Sequence, residues 1–144
     1  MALFYSSESA NYAALPVVKQ ANAGYGAGLI RYRGTTVFSS PAITTADQII
    51  IANVPAGYTF AYGILTSSVS LGTATIAIGT AASTGKYRAA AVFTAVDTPT
   101  MFGIATQAGL QTALTADELI QIAVGVASLP TSGTLVADLY FSRP

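Results

Sequence analysis

The chain has 144 residues, which is enough for one domain with a sizeable core, and it contains no cysteine, histidine or tryptophan. Six basic and six acidic residues give a net charge of zero; 52% of the residues are hydrophobic and 8% are charged. This composition excludes a disulfide framework and any active site or zinc cluster that depends on cysteine or histidine. It also argues against nucleic-acid binding, which requires a basic surface.

The first thirty residues are the least regular part of the sequence. They are rich in Ala, Asn, Ser and Gly, and they show neither a strand period nor a helical stripe. We predict an extended N-terminal arm over residues 1–30 and a β-sandwich domain over residues 31–144. Three tyrosines of the arm, Tyr5, Tyr12 and Tyr25, suit a segment that orders against a partner protein. A strap that lies along its own subunit is the alternative.

Strand patterns begin at Arg31. In an extended segment Arg31 and Arg33 share one face, with Tyr32 between them. Such a pair either solvates the face or contacts acidic groups of a neighbouring subunit. We therefore add Arg31, Tyr32 and Arg33 to the three arm tyrosines as candidate partner-contact residues. Lys86 and Arg88 repeat this arrangement around Tyr87.

Alternating apolar residues and flanking turn signals predict five further strands. In one of them Tyr58, Phe60, Tyr62 and Ile64 share a face. In the last strand Leu135, Ala137, Leu139 and Phe141 share a face. The five are Thr35–Ser40, Gln48–Val54, Tyr58–Leu65, Gly72–Thr80 and Thr134–Ser142.

The segment that follows Thr115 has two interpretations. Thr115-Ala116-Asp117-Glu118 resembles a capping box, which precedes a helix. However, Ile120, Ile122 and Val124 alternate with smaller or polar residues, and β-branched residues disfavour a helix. We therefore predict a strand over Glu118–Ala127. Lys86–Val96 and Met101–Leu114 have weaker patterns, and a short helical turn is expected around Thr106–Thr112.

Together these patterns predict an all-β fold: an antiparallel β-sandwich, jelly-roll-like, with seven or eight strands. No segment has 18 uninterrupted apolar residues and no secretory signal is visible, so we expect no membrane partner. The six carboxylates suggest no catalytic pair and no metal-binding loop. We expect no enzymatic activity, no cofactor, no metal and no small-molecule substrate.

The scarcity of charge also bears on function. An ordinary soluble domain has about a quarter of its residues charged. A chain with 8% charged residues and zero net charge has little to keep copies apart or to solvate an isolated surface. We therefore expect a component of a protein assembly.

Several motifs in residues 45–142 resemble the small decoration, or cement, proteins of tailed-phage capsids. They are Asp47-Gln48-Ile49-Ile50-Ile51 before Pro55-Ala56-Gly57, Leu71–Gly79, Lys86-Tyr87, Thr98-Pro99-Thr100 and Leu129–Tyr140. The resemblance implies a trimeric jelly-roll subunit that is made in the host cytoplasm and docks on the outside of the capsid. Its partner would be the major capsid protein, whose contacts it would stabilise. A fibre or receptor-binding module, a lectin-like module and a small-molecule-binding barrel are the alternatives.

Overall fold

The computed structural model describes residues 28–103 and 112–143, which form eight strands and no helix within those ranges. The strands are β1 (Leu29–Val37), β2 (Gln48–Val54), β3 (Thr59–Ser67), β4 (Thr75–Gly79), β5 (Arg88–Val92), β6 (Thr100–Phe102), β7 (Glu118–Gly125) and β8 (Thr134–Ser142). They form two antiparallel four-stranded sheets, sheet A with the order β1-β8-β3-β6 and sheet B with the order β2-β7-β4-β5. This order is that of an eight-stranded jelly roll. The predicted antiparallel sandwich is confirmed.

The core lies between the sheets and is built from alternate residues of their strands. In β8 the residues predicted to share one face, Leu135, Ala137, Leu139 and Phe141, are at most 1% exposed and belong to the core. In β7 Ile120, Ile122 and Val124 are also buried, which confirms the strand and excludes the helix that the capping-box motif suggested. Aromatic rings fill the centre of this core: the Phe60 ring centroid lies 4.5 Å from that of Tyr87 and 5.3 Å from that of Phe141.

Strand β1 differs in extent from its prediction. The sequence pattern places a short strand at Thr35–Ser40, whereas β1 spans Leu29–Val37. It pairs with β8 over its whole length and ends where Thr134, the first residue of β8, lies opposite Val37. Leu29 and Ile30, assigned to the predicted arm, therefore belong to a strand.

Strand β3 contains a bulge that changes which residues face the core. The pairing of β3 with β8 skips Ala61, so Phe60 lies opposite Phe141 and Tyr62 lies opposite Tyr140. One extra residue reverses the alternation of side chains. Phe60 therefore enters the core, while Tyr62 and the residues that alternate with it lie on the outer face of sheet A. The prediction of one shared face from Tyr58 to Ile64 is wrong for this reason.

Other predictions fall on residues that the structure does not describe. Residues 1–27, with Tyr5, Tyr12 and Tyr25, lie outside the described ranges. The helical turn predicted around Thr106–Thr112 also lies outside them, except for Thr112.

Candidate interaction surfaces

Arg31 and Arg33 lie on the outer face of sheet A, as the extended pattern predicts. In the register of β1 with β8, Arg31 lies opposite Tyr140 and Arg33 opposite Asp138. Both arginines are exposed, and both follow the outward positions of the alternating burial pattern of β1. The two guanidinium groups nevertheless have different surroundings.

Arg33 forms a bidentate ion pair with Asp138 of the neighbouring strand. Its Nε donates to Oδ1 at 2.7 Å and its Nη2 to Oδ2 at 2.6 Å. The Asp138 side chain is 8% exposed and that of Arg33 is 50% exposed. The hydrogen bond to Asp138 and the charge of that carboxylate raise the pKa of Arg33 above its ordinary value. The two residues are 105 positions apart in the sequence of the same chain. The guanidinium of Arg33 therefore neutralises a carboxylate of its own subunit.

Arg31, in contrast, has no ion pair or side-chain hydrogen bond with any other residue in the ranges 28–103 and 112–143. It lies next to an aromatic pair on the same face: the rings of Tyr62 and Tyr140 stack with centroids 4.6 Å apart and an interplanar angle of 18°. The outer face of sheet A therefore combines an available guanidinium group with apolar ring surface.

Tyr32 points to the opposite side of β1, towards the core. Its ring contacts Phe141 at 5.9 Å and Tyr58 at 6.5 Å between centroids, both edge to face. Burial is the first cause that raises the pKa of the Tyr32 hydroxyl. Tyr32 thus packs within its own subunit, and a contact with a partner stays a prediction.

The second basic pair is also used inside the subunit. The Lys86 ammonium group pairs with Glu118. The Arg88 guanidinium donates to the main-chain carbonyl of Ile76 and, at 3.3 Å each, to those of Ala91 and Val92. These bonds lie at a bulge between β4 and β5, where ladder bonds are missing. Burial lowers the pKa of Arg88.

Glu118 also accepts a hydrogen bond from the hydroxyl of Tyr87, which is a buried core residue. Burial first, and then this hydrogen bond, raise the pKa of Tyr87 far above its ordinary value. A half-open pocket of about 240 Å³ adjoins Glu118 and is lined by Lys86 and residues 112–118. It is smaller than typical ligand pockets of about 300–1,000 Å³, and its Lys86 and Glu118 side chains pair with each other.

Most exposed large hydrophobic side chains of the described ranges lie along two sides of the sandwich. β1 and β2 are edge strands on one side, and Gly34 of β1 lies close to Ile51 of β2. We call this side the β1–β2 edge and the opposite side the β5–β6 edge, each taken with its adjoining loop residues. Within residues 28–103 and 112–143, six of the eight exposed large hydrophobic residues lie on these edges. They are Leu29, Val37 and Ile50 on the β1–β2 edge and Val92, Val96 and Met101 on the β5–β6 edge; the other two are Leu119 and Val126.

Each of these edges also has charged residues without an ionic partner in the part of the chain that the structure describes. They are Arg31 and Asp47 on the β1–β2 edge, and Arg88 and Asp97 on the β5–β6 edge. Asp97 is exposed and follows β5; its backbone N–H donates to the carbonyl of Ser67 at the end of β3. The sequence patterns did not single out Asp97, because nothing in its neighbourhood along the chain indicates its place in the sandwich.

Within residues 28–103 and 112–143 no group of three or more acidic side chains forms a possible metal site. The same ranges contain no helix that is long and apolar enough to cross a membrane.

The fold matches chains in solved phage capsids. A chain of the cyanophage Pam1 capsid asymmetric unit superposes with a TM-score of 0.68 at 22% identity, over 88% of this chain and 93% of that chain. The fold is one that phage capsid structures contain. A chain of the Ralstonia phage GP4 capsid gives a TM-score of 0.59 at 14% identity, over 88% and 90% of the two chains. A chain of the acid-stable capsid of the Helicobacter pylori bacteriophage KHP30 gives 0.56 at 12% identity, over 81% and 89%.

No protein-family model and no curated protein matches this chain. The similarity to the capsid chains therefore lies in the arrangement of the strands.

Proposed function

We propose that this chain is a structural protein of a phage virion: a decoration, or cement, protein that binds the outer surface of the capsid as a homotrimer. It stabilises contacts between major capsid subunits there, after synthesis in the host cytoplasm. The observation that carries the proposal is the shared jelly-roll fold, which covers at least 81% of this chain in all three capsid comparisons.

The distribution of charge supports the same role. Arg33, Lys86 and Arg88 are all used within the subunit, as the previous section describes. Only 8% of the residues are charged, so docking such a surface onto another protein removes few charges from water. The removal of each charge costs several kcal/mol. A trimer that binds at several points also gains avidity through effective concentration, so that each single contact can be weak.

Co-sedimentation with capsids of the phage that encodes the chain tests this proposal. We expect saturable binding to capsids that lack their decoration protein, and higher thermal stability of the particles once the chain is bound. Absence of binding to such capsids, at concentrations where the chain is folded, would refute the decoration role. Binding to a glycan array without any capsid binding would instead favour the lectin-like alternative.

The candidate arm contacts are tested in the same assay with the full-length chain. Replacing Tyr5, Tyr12 and Tyr25 together with alanine is expected to weaken capsid binding while the sandwich stays folded. Equal binding by this variant and the original chain would show that these tyrosines do not contact the capsid. Far-ultraviolet circular dichroism is the control for folding.

A further inference from the structure

The two outer faces of the sandwich differ in how far the subunit itself covers them. On sheet B the outward residue Ala77 of β4 is 4% exposed. The next outward residue, Gly79, lies against the carbonyl oxygens of Ser83 and Thr84, so the loop after β4 folds over this face. On sheet A all outward residues of β1 are exposed, and Met101 of β6 is 67% exposed. Sheet A therefore has the more open outer face.

The side chains on the outer face of sheet A are of the types found at the centre of protein interfaces. Such centres are enriched in Tyr, Met and Arg and depleted in Lys, Glu and Ala. The outward positions of β4 on sheet B are Thr, Ala and Gly instead. On sheet A the outward residues of the central strands and of β6 include Tyr62, Ile64, Val136, Tyr140 and Met101.

The charges of this face sum to one excess positive charge. The strands of sheet A contain three charged residues, Arg31, Arg33 and Asp138, and the last two form the bidentate ion pair. Arg31 has no ionic partner in the described ranges, so its charge is not compensated on this face. Beyond these strands, the described charged residues without an ionic partner are Arg88 of β5 and the loop residues Asp47, Asp97, Asp117 and Arg143.

Arg31 lies in one row with the stacked tyrosines. In the strand register Arg31 is opposite Tyr140, and Tyr140 is opposite Tyr62, so the row crosses β1, β8 and β3. A guanidinium group binds a carboxylate through two parallel hydrogen bonds. Arginine and tyrosine are also the residue types that contribute most binding energy at protein interfaces. The row therefore fits a protein partner that offers a carboxylate beside an apolar contact.

We propose that the outer face of sheet A docks on the capsid, and that Arg31 binds a carboxylate of a major capsid subunit beside the Tyr62–Tyr140 pair. This inference rests on the proposed function and assigns the surface that makes the capsid contact. Three strands of the face have nine residues each, so it measures roughly 30 Å by 15 Å. It can thus supply roughly half of the about 800 Å² that each partner buries in a standard interface.

The charge of the face also bears on which protein covers it. Pairing of this face with the same face of a second copy would bring two Arg31 cations into one interface, and the strands of sheet A offer no unpaired anion to either of them. Like charges brought together at an interface cost several kcal/mol. A different protein surface that carries an acidic residue meets no such penalty.

Co-sedimentation of the full-length chain with capsids that lack their decoration protein tests the role of Arg31. Arg31→Glu is expected to raise the dissociation constant about tenfold or more, because like charges then face each other. Arg31→Lys keeps the charge and loses the bidentate geometry, so a rise of about threefold is expected. Arg143→Glu is the matched control and is expected to change the dissociation constant little, since this charge acts on the core-facing Tyr32.

Zero-length crosslinking identifies the group that faces position 31. The chain has two lysines, Lys19 and Lys86, so Arg31→Lys adds a third at the proposed interface. A carbodiimide condenses a carboxylate with a lysine amine that touches it and takes up the released water as a urea. Mass spectrometry is expected to find a new crosslink between position 31 and an Asp or Glu of the capsid subunit. A crosslink from position 31 to a second copy of the chain, or none to the capsid, would overturn the assignment.

Variants on the two outer faces test the apolar part of the contact. Tyr62→Thr/Tyr140→Thr removes both rings and keeps residues that favour strands, and it is expected to raise the dissociation constant about tenfold or more. Met101→Lys, at an exposed position of the same face where folding is not at stake, is expected to weaken binding as well. Leu119→Thr removes an exposed apolar side chain from the outer face of sheet B and is expected to have little effect. Equal effects on the two faces would refute the assignment.

The outcomes separate this inference from the proposed function. Absence of capsid binding by the original chain would refute both. Capsid binding that is unchanged by Arg31→Glu and by Met101→Lys would refute the docking face and leave the decoration role in place. Sedimentation equilibrium of Arg31→Glu is expected to give the same mass as the original chain. A lower mass would assign Arg31 to a contact between copies and overturn the capsid contact.

Discussion

Replacement of Gly63 by alanine tests how β6 is held against β3. A Cβ atom at this position would lie 2.0, 2.4 and 2.6 Å from three ring carbons of Phe102. Real atoms do not approach so closely, so the ring must leave its place beside Phe60, where the two centroids are 6.3 Å apart. Loss of a fully buried phenylalanine costs about 3–5 kcal/mol, so displacing this half-buried ring costs about 2 kcal/mol.

The same substitution also has a favourable component. Alanine within a strand is about 0.5–1 kcal/mol more stable than glycine, because glycine loses more conformational freedom on folding. The net expectation for Gly63→Ala is therefore a loss of about 1 kcal/mol in the free energy of unfolding, measured by urea denaturation at fixed protein concentration.

A second background makes this prediction sharp. In Phe102→Ala the ring is absent, so Gly63→Ala is expected to stabilise the protein by about 0.5–1 kcal/mol. The effect of one substitution thus changes sign with the presence of the other, and the double-mutant cycle measures their coupling. An equal loss in both backgrounds would show that contact with Phe102 is not the reason for glycine at this position.

Three further predictions concern strain, the buried carboxylate and pH. Val126 has a φ of +67°, in the left-handed region that a β-branched residue disfavours, and it is 79% exposed. Val126→Gly is therefore expected to raise the free energy of unfolding, measured in urea, by about 1 kcal/mol. Val126→Ala is expected to raise it less, because alanine also disfavours this conformation. The Arg33→Gln substitution leaves the Asp138 carboxylate without its cation, so the melting temperature of this variant should be lower than that of the original chain. The double variant Arg33→Gln/Asp138→Asn should recover part of the loss. A melting temperature of Arg33→Gln equal to that of the original chain would contradict a stabilising ion pair. Folding raises the pKa of Tyr87, so the contribution of its neutral hydroxyl to stability is complete below about pH 10 and is lost at higher pH. The Tyr87→Phe variant should therefore show a smaller fall in melting temperature between about pH 9 and about pH 11 than the original chain. An unchanged dependence of melting temperature on pH would contradict this.

Much of the fold follows from local patterns along the chain. Alternation of apolar and small residues places β4, β7 and β8 and divides their residues between two faces. In β7 the alternation of Ile120, Ile122 and Val124 outweighs the capping-box motif, because burial of three β-branched residues between two sheets stabilises more than a helix cap does. The scarcity of charge likewise points to protein contact before any contact is seen.

The faces and partners of the side chains depend on pairing between distant strands. The bulge at Ala61 sends Phe60 into the core and Tyr62 outward, and it arises from the register with β8, about eighty residues further along the chain. Asp138 becomes the partner of Arg33 only because β1 and β8 are neighbours, a relation that no short window contains.

The position of Asp97 opposite the β1–β2 edge similarly requires the complete strand order. The alternation of apolar and polar residues along a strand predicts which residues share a face, because this depends only on the sequence of that strand. Which faces, edges and charges meet is set by packing across the whole sandwich.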